Sequence, residues 1–381
     1  MGNILFELTV IISIAAILSI LLRLIKQPPI LAYILTGILI GPFGNFQLQS
    51  RDFLQALGEL GIALLLFIVG LELNFNEVKS VSKVAAVVGT LQVTLTAMGG
   101  YFISKALGFN NVESIYLAAA VAFSSTIIVV KLLTDIKAMQ NLNGKISFGL
   151  LLVQDLFAVF VLIFLSSFFK SALSLGSLAS VFVPGLIIVL TTLFLSVFVF
   201  PKLIAKIGNS YETLFLFAIA WVLGLSALMS SVGFSIEIGG LLAGLSLANT
   251  TGTLHIIDRT KPLRDFFITL FFVILGLNMS FISLSKIFIP AVILSLFVIL
   301  FKPFVTFIVM RIMGFPKKVS ALTGISLGQI SEFSLIIIFI GQKLGHVSPE
   351  IVSLVATVAI LTFAVSSYLI MGSERLTRSL D

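Results

Sequence analysis

The chain has no cysteine. That excludes disulfides, thiol nucleophiles and thiolate metal sites, and leaves the redox compartment open. Histidine is nearly as scarce. His255 and His346 are the only two, they fall in interfacial loops between apolar runs, and two imidazoles cannot build a zinc site alone. Charge is the third shortage: only 10% of the 381 residues are Asp, Glu, Lys or Arg, against about 25% in soluble domains. Most of this chain cannot sit in water. The first residues also lack a basic stretch and a small-residue cleavage site, so the opening apolar run reads as a retained helix and not a cleaved signal. Phe6 stands where a myristoylation signal needs Ser or Thr.

What remains is apolar. Hydrophobic residues make up 59% of the chain and the mean hydropathy is +1.21. A membrane-spanning helix needs about 20 mostly apolar residues. With breaks at charged or Pro/Gly clusters, the pattern predicts an all-α integral membrane protein of about thirteen transmembrane helices. They fall near 4–26, 29–43, 53–74, 80–107, 112–136, 145–170, 177–206, 211–232, 234–249, 262–281, 286–313, 317–342 and 348–372. The runs are continuous and do not alternate, which excludes a β-barrel.

Orientation follows the basic residues. Seventeen of the 23 lysines and arginines fall in the loops after odd-numbered spans or in the tail, five on the opposite side, and Lys302 inside a span. The expectation is a multi-pass protein of the cell membrane with its N-terminus outside and its C-terminus in the cytoplasm. The same asymmetry accounts for the net charge of +7 through the lipid bilayer, with no nucleic acid.

Segments recur at an offset of about 207 residues. Ala32-Tyr-Ile-Leu-Thr-Gly37 resembles Gly239-Gly-Leu-Leu-Ala-Gly244, and Leu66-Phe-Ile-Val-Gly70 resembles Phe272-Val-Ile-Leu-Gly276. Ser124-Ser-Thr126 falls opposite Ser331-Glu332-Phe. Each pair lies an odd number of spans apart, so the two copies cross the membrane in opposite directions, the inverted repeat of secondary transporters. The expected organisation is one polytopic membrane domain over 1–372. Its repeats cover about 1–171 and 211–372, a linker helix 177–206 joins them, and 373–381 is a short cytoplasmic tail.

The fifth and twelfth spans carry Phe123-Ser-Ser-Thr126 and Gly328-Gln-Ile-Ser-Glu332 at mid-depth. Small polar residues there re-satisfy backbone groups if a helix unwinds beside a cavity; they also let helices pack closely. Broken ends that cross would face each other with opposed dipoles and call for charged side chains. Asp155 stands ten residues past Lys145 and fifteen before Lys170, about 15 Å deep at 1.5 Å per residue. A carboxylate there costs about 2.5–3.5 kcal/mol on insertion scales and marks a functional site by default. Its repeat counterpart is Thr362. Lys302 is also near mid-depth, able to neutralise Asp155 or to snorkel towards water. Glu332, with Ser331 and Ser124, lies at the proposed breaks, where it either balances dipoles, accepts a proton or is structural. Gln154 offers a carbonyl oxygen to a cation or bonds within the bundle. Glu72 is a secondary candidate near a span end, where an interfacial role competes.

Leu152-Val-Gln154-Asp155-Leu156 resembles the Gln-Asp motif of bacterial potassium-efflux antiporters, in the monovalent cation:proton antiporter-2 family. Gly70-Leu-Glu-Leu-Asn74, Ser124-Ser-Thr126, Phe271-Phe-Val-Ile-Leu-Gly276, Lys302-Pro303 and Gly328-Gln-Ile-Ser-Glu-Phe333 extend the resemblance over nearly the whole chain. It implies the thirteen-helix sodium/proton antiporter fold, with crossed, broken fifth and twelfth helices and an elevator-like core domain in a homodimer. It further implies a cation- and proton-binding Asp155 aided by Gln154, Ser125 and Thr126, with Lys302 as neutralising partner. No cofactor is implied, only transported potassium or sodium and protons. Sodium-selective relatives carry Asp-Asp or Asn-Asp where this chain has Gln154-Asp155, which favours potassium. Glutathione-gated members add a cytoplasmic nucleotide-binding domain; a regulatory domain or subunit would lie outside this chain. The rival readings are a sodium/proton antiporter and a cation channel, which would want a continuous polar pore. No catalytic constellation points to an enzyme.

Overall fold

The structure, a computed structural model, describes residues 4–41, 50–72, 83–168, 175–208, 210–232, 234, 236–279 and 284–380. Asn74 and Lys170, used above, lie outside the described residues. Among those described, every regular element is helical. Among the described residues, nine helical segments, with Asn111–Asp135 counted as one, are long and apolar enough to cross a membrane by length and composition, and two shorter apolar helices accompany them. The chain divides into two compact units that alternate along the sequence.

The first unit spans Met1–Ile4, Leu48–Ser80 and Leu165–Ile274. It holds α3 (Arg51–Glu72), α8 (Leu175–Phe194), a π-helical turn (Leu195–Val199), α9 (Phe200–Ile207), α10 (Tyr211–Ser231), α11 (Ile236–Leu247) and most of α12 (Thr253–Leu277). Leu64, Phe67 and Leu71 of α3 pack with Leu214, Ala218 and Val222 of α10 and with Ala243 and Leu247 of α11. Glycines allow α3 and α11 to touch. A Cβ at Gly240 would lie 2.4 Å from the Ala63 carbonyl oxygen, and one at Gly244 would lie 2.0 Å from that of Phe67. Such small-residue seams replace the hydrophobic drive that helices lack inside lipid.

The second unit spans Leu5–Gln47, Val81–Phe164 and Leu275–Asp381. It holds α1 (Ile4–Leu24), α2 (Pro29–Ile40), α4 (Lys83–Ala106), α5 (Asn111–Ala122), α6 (Thr126–Asp135) and most of α7 (Leu142–Phe168). From the second half of the chain it takes α13 (Leu284–Ile312), α14 (Lys317–Ser326), α15 (Glu332–Lys343) and α16 (Pro349–Leu376). A Cβ at Gly276 would lie 2.1 Å from the Ile34 carbonyl oxygen and 3.1 Å from the Gly37 Cα. In the first unit, a Cβ at Gly70 would lie 3.0 Å from the Gly244 Cα. Gly37 and Gly244 are repeat counterparts, as are the Gly70 and Gly276 motifs. The same glycine contact is therefore built twice, once from each pair of repeat-related segments.

Both expected breaks are present. The fifth span is α5 and α6 separated at 123–125, and the twelfth is α14 and α15 separated at 327–331. The span expected from 262 differs, because α12 already begins at Thr253 and keeps Pro262 inside it. Its charged first turns looked like a loop to hydropathy alone. They are amphipathic: Ile256, Ile257 and Thr260 are buried while His255, Asp258 and Arg259 are exposed, the helical period of a half-buried helix. His255 thus lies on a helix and not in a loop.

Candidate functional site

The site forms within the second unit, where the two broken helices meet. α5 opens with a capping box, Asn110 Oδ1 accepting from the Glu113 N–H at 2.9 Å. It ends at Phe123, whose extended backbone (φ −89°, ψ 153°) stops the helical ladder. Ser125 then caps α6, its hydroxyl accepting from the Ile128 N–H at 3.2 Å. In the second break, Ser331 caps α15, its hydroxyl accepting from the Phe333 N–H while Ser334 Oγ accepts from the Ser331 N–H, both at 3.1 Å. Hydroxyls also bind the two breaks together. Ser124 Oγ donates to the Leu327 carbonyl at 3.0 Å, and Ser334 Oγ donates to that of Ala120 at 2.5 Å.

Each break leaves backbone groups that must be paired in a dry interior. At the first, the Ser124 N–H donates to Gln154 Oε1 at 2.8 Å, and Gln154 Nε2 donates to Gln92 Oε1. Gln92 Nε2 in turn reaches the Ala122 carbonyl at 3.2 Å and Thr96 Oγ1 at 3.0 Å. Gln92 and Gln154 are both fully buried. At the second break, the Ile330 N–H donates to Thr362 Oγ1 at 3.4 Å, and Gln329 bonds Ser366 and the Ser326 carbonyl. Thr362, repeat counterpart of Asp155, thus serves the break opposite.

Lys302 is wholly buried on α13, and its ammonium donates to the carbonyls of Phe123 and Gln329, each at 2.7 Å. One carbonyl ends α5 and the other follows α14, so a single cation lies on the negative ends of both half-helices. Pro303 beside it lacks an N–H, and a Cβ at Gly324 would lie 2.6 Å from the Pro303 carbonyl oxygen, so α13 and α14 approach closely here. The positive ends carry acids. Glu332 is buried in the first turn of α15. Asp155 Oδ2 accepts from Thr126 Oγ1 at 2.9 Å, at the first residue of α6. A helix end is equivalent to roughly half a charge. The two negative and two positive ends cancel one another, so Lys302, Glu332 and Asp155 together leave one negative charge over. Asp155 is only half-buried, unlike the fully buried Gln154 beside it.

The sequence-expected residues therefore separate. Asp155 and Thr126 meet, Ser125 and Gln154 turn oxygens to backbone N–H groups, and Glu332, Ser331 and Ser124 lie at the breaks as expected. Glu72 belongs elsewhere, pairing with Lys261 at 3.5 Å on an exposed surface of the first unit. Gln92 was missed; a glutamine in an apolar span, one turn before the repeat counterpart of Lys302 (Leu95), was its signal.

Residues 10–371 match a family model described as sodium/hydrogen exchanger, transmembrane. The iron transporter MagA of Paramagnetospirillum magneticum is 28% identical over 371 residues, 97% of this chain and 85% of that one. The K(+) efflux antiporter 5 of Arabidopsis thaliana is 30% identical over 344 residues, 87% of this chain and 60% of that one. The solved structure of the sodium proton antiporter MjNhaP1 from Methanocaldococcus jannaschii superposes with a TM-score of 0.72 at 16% identity, covering 99% of this chain and 98% of that one. At that identity the likeness shows the fold.

Proposed function

Because the chain belongs to the sodium/hydrogen exchanger family, a family of membrane transporters, we infer that it exchanges a monovalent cation for protons at Asp155. The observation that carries the reading is the charge balance of the crossed helices. The opposed helix ends cancel, Lys302 balances one of the two acids, and Asp155, bonded to Thr126, carries the remaining negative charge that takes one positive ion. A proton fills that vacancy as well as a dehydrated cation does, and it cannot hold both at low cost. Competition of this kind couples the two gradients.

A monovalent ion suits the site better than a divalent one. Hard divalent cations collect several oxygen ligands, and among the described residues no group of three or more His, Cys, Asp or Glu is placed to hold a metal. Potassium is the favoured ion, on the Gln154-Asp155 pair and on the potassium-efflux relative; sodium is the alternative. Every residue of the site falls in one compact unit, which suits elevator-type alternating access, the unit carrying its ion as a body. The protein works as a multi-pass homodimer in the cell membrane, N-terminus outside and C-terminus cytoplasmic.

Proteoliposome exchange with sodium, potassium, rubidium and lithium side by side tests the reading. Potassium and rubidium should support proton-coupled flux best. Asp155→Asn should abolish it while the protein still folds; coupled flux by that variant near the parental rate would end the proposal.

A further inference from the structure

A cavity of about 450 Å³ opens at the other end of α6, away from Asp155. Four lining residues of α6, Ile128, Lys131, Leu132 and Asp135, share one helical face. Opposite them lie Arg23, Lys26 and Gln27, where α1 ends. Arg23, Lys26 and Lys131 against Asp135 leave two positive charges in excess. The volume lies within the roughly 300–1,000 Å³ of small-molecule sites.

Two further observations single this cavity out. The first is backbone. α1 closes with the Lys26 N–H on the Arg23 carbonyl (3.0 Å) and the Gln27 N–H on that of Leu22 (2.9 Å). This turn places Lys26 in the left-handed region at φ 60°, where glycine is the usual residue. α6 closes in the same way through Lys137 at φ 57°. At Gly108, Gly314 and Gly345 the positive-φ position is glycine. Among the described residues, lysine replaces it only where α1 and α6 end. A cation near a helix C-terminus is favourable in itself, but that requires neither a left-handed lysine nor Lys131 part-way along α6. The second is Gln27. Its side chain is 7% exposed, its Nε2 donates to the Ala364 carbonyl at 3.4 Å, and its Oε1 accepts no hydrogen bond. A buried carbonyl oxygen without a donor is costly, and a ligand hydroxyl would supply one.

We propose that this cavity binds a phosphate ester carrying a free hydroxyl, the glycerophosphate group of an anionic phospholipid or of a soluble metabolite. The arginine and the two lysines take the phosphate oxygens, Arg23 through its planar fork. Gln27 Oε1 accepts from the hydroxyl.

The test measures binding and needs no transport. The purified full chain is titrated by native mass spectrometry with dioctanoyl phosphatidylglycerol, dioctanoyl phosphatidic acid, dioctanoyl phosphatidylcholine and glycerol 3-phosphate. Phosphatidylglycerol should bind at least about tenfold, or 1.4 kcal/mol, more tightly than phosphatidylcholine. The doubly substituted Lys26→Gly, Lys131→Gln chain should lose that preference. Glycine suits the turn at position 26, so the variant should keep the parent's thermal midpoint. Gln27→Leu should erase the preference for phosphatidylglycerol over phosphatidic acid, whose headgroup has no alcohol hydroxyl. If glycerol 3-phosphate binds and displaces the lipid, the ligand is a soluble ester; if only the lipid binds, it is a membrane component. Equal binding of phosphatidylglycerol and phosphatidylcholine, no binding of either glycerophosphate probe, or unchanged binding by the double variant would overturn the proposal.

Discussion

A buried ammonium is tolerable only where its protons find acceptors, and Lys302 finds two on carbonyls that the broken helices leave behind. The lysine is thus fastened to the scaffold of the site, and its removal should act on stability as well as on transport. Lys302→Gln is shorter, neutral and unable to reach both carbonyls. Leaving a buried carbonyl unpaired costs about 1–3 kcal/mol, and two negative helix ends would lose their counter-charge. The variant's thermal midpoint in detergent should fall clearly below the parent's. A midpoint equal to the parent's would mean that the ammonium does not hold the breaks together. Gln154 is spoken for in a similar way, since its carbonyl oxygen receives the Ser124 N–H. Beside it, Asp155 is the half-buried carboxylate that accepts from Thr126.

At the scale of elements, the seam between α3 and α11 depends on the absence of side chains. A Cβ at Gly244 would overlap the Phe67 carbonyl oxygen at 2.0 Å, and backbone cannot swing aside as a side chain can. Gly244→Val should therefore destabilise the first unit by overpacking, by about 1–3 kcal/mol or more. Gly224 on α10 is the control, since a Cβ there meets nothing within 4 Å. Gly224→Ala should leave the melting curve unchanged or raise it slightly, because alanine is the better helix former. Size-exclusion melting of the two variants separates packing from a general intolerance of glycine replacement; equal losses in both would refute the seam. The broken helices follow the opposite rule. Phe123 and residues 327–331 tolerate non-helical backbone because buried hydroxyls, amides and one ammonium take up the released groups.

For the whole molecule, a single surplus negative charge at the crossed helices predicts competition of a definite form. Protons and the transported cation claim one carboxylate, so the cation concentration for half-maximal exchange should rise as pH falls on the cation-loading side. The maximal rate at saturating cation should stay nearly constant. Proteoliposome flux at several pH values reads both; a maximal rate that falls while the half-saturating concentration holds would point to separate sites. The sequence by itself determined the membrane class, the position of the two breaks, and the glycine motifs that recur between repeats. These are properties of local composition: an apolar run must be a helix in lipid, and a charge or a small polar cluster within it stands out against that background. Only the tertiary structure decided what those residues touch. It moved the start of α12 to Thr253, brought in Gln92, set Glu72 against Lys261, and placed the Lys302 ammonium on Phe123 and Gln329. The physical reason is that the acceptors of Lys302 are backbone carbonyls. Every residue carries one, so no sequence pattern distinguishes the two that the breaks expose, 179 and 27 residues away, to the buried Lys302 ammonium.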